Sequence, residues 1–188
     1  MKYLEYLKSL HDRLLALVPA IQFDKTQQLH FAKVALYASL IEFTSAMICL
    51  IENNGRVALP STFRSFLEAS VELKNLNADP SYIEHMYASH MDEWLRVLNE
   101  SKKKNAYLAG IGGIPHLDEL IAKDEANLKS LKEKGKHPLK VFVRFEKAGM
   151  IEEYRSLYNF LSCDSHSNIR ALVPVSYTHL TLPTNREV

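Results

Sequence analysis

The sequence has almost no excess of charge of either sign. Its 23 lysine and arginine residues stand against 22 aspartate and glutamate residues, a formal net charge of +1 over 188 residues. General binders of nucleic acid or of anionic membrane surfaces usually carry a marked basic excess. The composition therefore removes the electrostatic argument for these classes, and RNA stays a partner class for which the charge gives no support.

Cysteine is scarce, and the motifs of metal sites are missing. Cys49 and Cys163 stand alone, without the paired spacing of a zinc site. The sequence also lacks the His-Glu-x-x-His motif of zinc proteases and the Glu-x-x-His motif of di-iron bundles. We therefore predict no metal and no cofactor.

The same two cysteines bear on the compartment. Both lie in apolar, helix-like stretches, which predicts two buried thiols in a reducing environment. At the N-terminus, Glu5 interrupts the apolar run that a signal peptide would need. We therefore predict a cytoplasmic protein.

One apolar run, residues 31–51, is about long enough to span a bilayer. Lys33 and Glu42 interrupt it, and Glu42 lies near its centre. A carboxylate at that depth costs on the order of 3 kcal/mol to insert. We therefore predict a buried core helix and no membrane association.

Apolar residues recur at helical spacing through most of the chain, and no convincing alternating strand appears. The residues from Val141 to Phe145 could also suit a short strand, but Gly149 as a helix C-cap favours a helix. The sequence predicts one all-α domain over residues 1–174, a bundle of about six to seven helices. The predicted helices cover residues 2–18, 26–53, 60–77, 81–103, 117–134, 141–149 and 151–172.

Residues 175–188 break this helical pattern. The segment Val-Ser-Tyr-Thr-His-Leu-Thr-Leu-Pro-Thr resembles the translation of sequencing-library adapter DNA. The alternative is a genuine β-rich tail. We expect a non-native tail of this kind, which would make residues 1–174 a C-terminally truncated domain.

The third predicted helix carries one narrow polar line on an otherwise apolar surface. Arg64, Glu68, Glu72 and Asn75 share an arc of roughly 80°. Arg64 and Glu68, one turn apart, could form a surface salt bridge worth about 0.3–0.5 kcal/mol. They could also form a polar binding site, or a buried bridge that costs about 3–5 kcal/mol to break from one side.

A second polar line adjoins the apolar face of the last predicted helix, a face that includes Tyr158. Ser162 and His166 are one turn apart and could touch. A nucleophilic serine would also need an oriented base and an oxyanion hole, and neither is recognisable. His166 is therefore either part of a polar network that contacts a ligand or a structural histidine with satisfied hydrogen bonds. The polar line consists of Arg155, Asn159, Ser162, His166 and Arg170.

Two groups of residues resemble a known family. The first is Asn54-Gly-Arg to Leu59 followed by Phe63-Arg-Ser-Phe-Leu-Glu-Ala69; the second is Phe145-Glu-Lys-Ala-Gly149, Tyr154, Tyr158, Leu161-Ser162 and His166. Together they resemble the bacterial domain of unknown function 5677 over about residues 26–172. The resemblance implies a helical protein whose Arg64, Glu68, Ser162 and His166 come together, and it implies no activity.

A looser likeness is to helical nucleotide-binding and ribonuclease-type domains of toxin and abortive-infection systems. Those domains carry an arginine about four to six residues before a histidine on one helix, whereas Arg155 precedes His166 by eleven positions. This departure argues against ribonuclease activity.

Two functions therefore compete. Our leading hypothesis is a binding or interaction module for an unknown small ligand or protein partner, in a bacterial stress or phage-defence setting. Its polar pocket would contain Arg64, Glu68, Tyr158, Ser162 and His166. The alternative is a nuclease or nucleotide hydrolase in which His166 is the general base and Arg64 stabilises phosphate charge. The sequence is also compatible with a homo-oligomer.

Overall fold

A computed structural model describes residues 2–103 and 105–165. Within this range the chain forms helices and no strand, which confirms the predicted all-α fold, and the number of helices is close to the six or seven predicted. The helices are α1 (Lys2–Leu17), α2 (Gln28–Glu52), α3 (Leu59–Ala78), α4 (Ile83–Ser101), α5 (Ala109–Gly112), α6 (Leu117–Glu133), α7 (Val141–Lys147), α8 (Ile151–Glu153) and α9 (Asn159–Ser165).

The turn between α2 and α3 folds these two helices against each other. Asn54 adopts a positive φ of 55°, and the Gly55 amide donates to the Leu50 carbonyl at 2.6 Å. A Cβ atom on Gly55 would lie 2.6 Å from Leu50 Cδ2, so any larger residue at this position would require the end of the Leu50 side chain to move. The turn thereby fixes where α3 begins.

The segment from Val141 is a helix, as predicted, and its end is a Schellman motif. Gly149 has φ 64°, its amide donates to the Glu146 carbonyl at 3.0 Å, and the Met150 amide donates to the Phe145 carbonyl at 2.8 Å. This pair of bonds satisfies carbonyl groups that the end of α7 would otherwise leave unpaired. The chain then turns directly into α8.

The apolar core consists of two clusters of buried side chains. The first joins α3, α7 and the last helical segment, which covers residues 151–165, and we call it the α3 core. The second joins α4 and α6. The members of the α3 core are Leu67, Val71, Phe145, Ala148, Tyr158 and Leu161, and those of the second cluster are Ala88, Leu95, Leu98, Leu117, Ile121 and Leu128. Since full burial of one such side chain contributes about 1.5–3 kcal/mol, these clusters account for much of the stability.

The prediction that α2 is a buried core helix is wrong. Only Leu40, Thr44 and Met47 are buried on this helix of 25 residues, and Phe31 is 61% exposed. Among the described residues, α3 packs most extensively on α2, and α1, which buries none of its own residues, packs on it less extensively. By length and composition α2 alone among the described helices could cross a membrane, and a helix of a soluble protein can meet the same criterion.

The prediction of two buried thiols is also wrong. Cys49 on α2 and Cys163 on α9 are both free and exposed. An apolar sequence neighbourhood did not imply burial here, because each cysteine lies on a side of its helix that no other described residue covers.

Candidate functional site

The polar line of α3 faces two different elements. At its N-terminal half, Arg64 and Glu68 contact the last helical segment, and at its C-terminal half, Glu72 and Asn75 contact Arg144 of α7. The apolar sides of the same helix supply Leu67, Val71 and Leu76 to the interior. The polar line therefore lies at the edge of the core and contacts other helices along its length.

Among the described residues, Tyr158 forms a cluster with Arg64 and Glu68. The Tyr158 hydroxyl donates to Glu68 Oε1 at 2.7 Å. Arg64 Nε shares its hydrogen between the Tyr158 hydroxyl oxygen, at 2.9 Å, and Glu68 Oε1, at 3.1 Å. The Arg64 guanidinium carbon also lies 4.9 Å from the centre of the Tyr158 ring, within range of a cation–π contact. We call these residues the Arg64–Glu68–Tyr158 cluster.

The cluster joins the interior to the surface. Tyr158 is only 4% exposed, whereas the side chains of Arg64 and Glu68 are 26% and 32% exposed. The Tyr158 ring packs on Phe145 and stacks on Tyr154, with ring centres 5.0 and 5.3 Å away. A buried, well-supported ring therefore presents its hydroxyl to two side chains that solvent can reach.

A π-helical turn brings Tyr158 into this position. Residues Tyr154–Tyr158 form this turn between α8 and α9. Turns of this type insert one residue into an α-helix, rotate the side chains that follow, and occur frequently at functional sites. The apolar and polar residues of the last predicted helix recur at regular helical spacing, so the sequence gave no signal for this turn.

The environment keeps Tyr158 protonated. Burial, together with the hydrogen bond to Glu68 and the charge of that carboxylate, raises the pKa of Tyr158 to about 12, and Arg64 opposes part of this rise. For Arg64, burial disfavours the charged form, but Tyr158 and Glu68 outweigh it and raise the pKa of the guanidinium. At neutral pH Arg64 is therefore a cation, and Tyr158 is a neutral hydroxyl that donates to Glu68.

The remaining predicted site residues are Ser162, which makes none of these contacts, and His166. The Ser162 hydroxyl donates to the Tyr158 carbonyl at 2.8 Å, a bond to the preceding helical turn. Ser162 is thus linked to the cluster through the backbone of Tyr158. His166 lies outside the described residues. The structure brings together Arg64, Glu68 and Tyr158, and the roles of all five residues in binding stay predictions.

Sequence reasoning missed Arg144. Its Nη1 atom donates to Glu72 Oε1 at 2.9 Å, its Nε atom donates to the Leu139 carbonyl, and its own carbonyl accepts from Asn75 Nδ2 at 2.9 Å. The available signal was an arginine inside the apolar Val141–Phe145 run, together with Glu72 and Asn75 on the polar line of α3. The pairing itself depends on residues about seventy positions apart.

The residues that the structure describes include no group of three or more His, Cys, Asp or Glu side chains placed to hold a metal ion. They form a helical domain with a polar cluster at the edge of its core. A family model described as a family of unknown function, DUF5677, matches residues 30–179, which is most of the chain. The chain belongs to this family, as the two groups of residues in its sequence indicated. No curated protein and no solved structure matches it.

Proposed function

We propose that this chain is a ligand-binding module and that its Arg64–Glu68–Tyr158 cluster contacts a small polar ligand. The observation that carries the proposal is the π-helical turn, which places the Tyr158 hydroxyl on a salt bridge formed 90 positions earlier in the chain. An α3 salt bridge alone would need no such turn to form. The irregular backbone is therefore better explained by a site than by stability.

The composition of the cluster favours a polar, uncharged recognition group. Arg64 and Glu68 offset each other's charge, so an ion of either sign finds little net attraction. Both described hydrogen bonds to Glu68 reach Oε1, which leaves Oε2 as the second acceptor of a partly exposed carboxylate. A ligand with amide-like or nucleobase-like N–H donors can reach this acceptor.

The test compares the wild-type chain with Tyr158→Phe, which keeps the ring and removes the hydroxyl. Tyr154→Phe is the matched control, because this neighbouring ring stacks on Tyr158 and its hydroxyl is not part of the cluster. Thermal unfolding is measured with a panel of nucleosides, nucleotides, free amino acids and inorganic phosphate. At about 100 times its Kd, a bound probe stabilises the folded chain by about 2.7 kcal/mol, which for a chain of this size raises the Tm by roughly 5–10 °C.

We expect at least one probe to raise the Tm of the wild-type chain and of Tyr154→Phe, and to lose this effect in Tyr158→Phe. The proposal is wrong if no probe in the panel stabilises the wild-type chain. It is equally wrong if a stabilising probe acts equally on Tyr158→Phe.

A nuclease or nucleotide hydrolase is the competing proposal, and the cluster supports it less well. Arg64 is paired with a carboxylate, which weakens its ability to stabilise phosphate charge, and the predicted base His166 lies outside the described residues. Incubation of the chain with RNA and nucleotides decides between the two. Turnover by the wild-type chain that His166→Ala abolishes would favour the enzyme. Equal turnover by the wild-type chain and by His166→Ala would exclude this mechanism.

A further inference from the structure

One side of α2 is left uncovered by the described residues. The three side chains that α2 buries share another side of the helix. On the uncovered side, three exposed side chains alternate with three that are only partly buried, and Phe31 is 61% exposed. We call this set the α2 strip, and its members are Phe31, Val34, Ala38, Ile41, Ser45 and Ile48.

The spacing within the α2 strip is that of a helix–helix contact. Its residues follow one another at alternating intervals of three and four, which is the spacing of the seam where coiled-coil helices meet. None of its members is charged, and only Ser45 is polar. Because the solvated face of a surface helix normally carries charged and polar side chains, this side of α2 has the character of a face that another helix covers.

Charged residues border the α2 strip and lie outside it. Glu52 follows Ser45 by seven residues and forms an ion pair with Lys8 of α1, at 2.5 Å, which closes the strip at one end. Glu42 is exposed at the edge, about 70° around the helix from the centre of the strip, so its carboxylate stays in solvent when the strip is covered. Leu15 is seven residues from Lys8, hence on the same side of α1, and is 45% exposed. It extends the apolar surface beside the strip.

The order of large and small side chains favours a second copy of this chain as the partner. Ala38 and Ser45, the smallest members of the strip, lie at equal distances from the point midway between Phe31 and Glu52. An antiparallel copy therefore places Ala38 of each chain opposite Ser45 of the other, where small side chains let the two helices approach closely. It also places Phe31 of each chain beside Ile48 of the other. A two-fold dimer needs a surface that is self-complementary in this way, and an unrelated partner does not.

The length of α2 suits a stable dimer. Its 25 residues make a helix about 37 Å long. A standard interface buries about 800 Å² on each partner. A contact along the whole of α2, widened by Leu15 of α1, is of this order, and burial of its apolar part contributes about 25 cal/mol for each Å².

We propose that the α2 strip is the interface of a homodimer in which the two α2 helices pack antiparallel. The exposure of α2 is then a property of the separate subunit, and the second copy covers it. The interface uses none of the residues of the Arg64–Glu68–Tyr158 cluster, so it does not depend on the function proposed above.

Light scattering coupled to size-exclusion chromatography tests the proposal on the full chain. At tens of micromolar we expect a mass of about twice the 21.5 kDa of one chain. The mass of a single chain at every concentration overturns the proposal. So does a chain that dissolves only with detergent or sediments with neutral phosphatidylcholine vesicles, because lipid is then what covers the strip.

A charge placed in the strip locates the interface. Ala38→Glu changes a side chain that is exposed in the separate subunit, so the variant should keep its helical circular dichroism. We expect the dimer Kd to rise about 100-fold or more, because a carboxylate buried without a partner is costly. Ala126→Glu makes the same change at an exposed position of α6 and should leave the Kd unchanged. A wild-type Kd for Ala38→Glu overturns the proposal; if that variant does not fold, Ser45→Glu decides by the same criterion.

Disulfide cross-links test the antiparallel order. Both native cysteines are first replaced by serine, and the Ala38→Cys and Ser45→Cys variants are then made as separate chains. In the antiparallel dimer residue 38 faces residue 45, so a mixture of the two variants should cross-link faster on mild oxidation than either variant alone. Equal or faster cross-linking of either variant alone overturns the proposed arrangement.

Discussion

Along α3, the N-terminal half of the polar line pairs Arg64 with Glu68 on the same helix, whereas the C-terminal half pairs Glu72 with Arg144 of α7. The first pair is roughly one-quarter to one-third exposed, and Glu68 accepts two hydrogen bonds on one oxygen atom. In the second pair the Arg144 side chain is 24% exposed, much like Arg64, but the Glu72 side chain is only 12% exposed, and its buried Oε2 atom makes no regular hydrogen bond to the described residues. The comparison shows that one helix face can carry both an accessible carboxylate and a largely enclosed one, each paired with a partly exposed arginine.

The two pairs should differ in what they contribute. An accessible i,i+4 pair adds only about 0.3–0.5 kcal/mol, so its removal should leave the fold intact. An enclosed pair adds little net stability as a whole, but loss of one partner leaves a buried charge and costs about 3–5 kcal/mol. Stability is therefore more sensitive to the α7 pair, and binding can be examined at the first pair without unfolding the chain.

The largest effect is expected from Arg144→Ala. This change leaves Glu72 buried without its cation, so the free energy of unfolding should fall by about 3–5 kcal/mol in a urea titration. A second change, Glu72→Leu in the Arg144→Met background, should recover most of the loss, since an apolar pair needs no hydrogen bonds. A loss below about 1 kcal/mol for Arg144→Ala would show that the two pairs are equally well solvated.

A smaller effect is expected from Tyr158→Phe. The change removes one donated and one accepted hydrogen bond from the Arg64–Glu68–Tyr158 cluster, which should lower the free energy of unfolding by about 2 kcal/mol. Tyr154→Phe, which keeps the same ring stack, should change it by less than about 0.5 kcal/mol. Equal losses in the two variants would mean that the hydroxyl of Tyr158 has no special role.

Glu68→Gln sharpens the comparison further. The amide keeps the shape and an acceptor but removes the charge, so we expect a loss of about 1 kcal/mol, measured by urea unfolding. Glu125→Gln on the exposed face of α6 is the matched control and should be neutral. A loss of about 3–5 kcal/mol for Glu68→Gln would instead identify the cluster as a buried structural bridge.

The last expected effect is a pH dependence of stability that appears only in base. The pKa of Tyr158 is raised in the folded chain to about 12 from an ordinary value near 10, so the folded state holds this proton more tightly than the unfolded state does. The stability from this difference is fully present below pH about 10 and is lost as the pH rises toward about 12. Urea titrations should show a steeper decline in this range for wild type than for Tyr158→Phe, and parallel curves would contradict the prediction.

Much of the fold was predictable because helical periodicity and glycine caps are local signals. The helix at Val141, its end at Gly149 and the Arg64–Glu68 pair all follow from short-range spacing, and the structure confirms them. The exposure of α2 and of Cys49 was not predictable in this way, because burial depends on which helices cover a face. Arg144 was missed for the same reason, since its partner is distant in the sequence.

The site shows the same limit. Tyr158 could be placed on the apolar face of the last helix, and its hydroxyl contact with Glu68 depends on a change of helical register that no local pattern revealed. Ser162 and His166 could touch across a regular turn, but His166 lies outside the described residues; the Ser162 hydroxyl donates to the carbonyl of Tyr158. The sequence thus predicted a helix in this segment, but not the irregular turn or the Tyr158 contact that depends on it.

The π-helical turn at Tyr154–Tyr158 makes segment length a marker that can be followed among family members. The turn holds one residue more than a regular α-helix. A one-residue deletion there would restore a regular α-helix and rotate the side chain at position 158 by roughly 100° about the helix axis. Such a relative would keep its helices and lose the tyrosine contact. The number of residues between the Gly149 cap and the buried Leu161 therefore distinguishes family members that keep this turn from those that lack it.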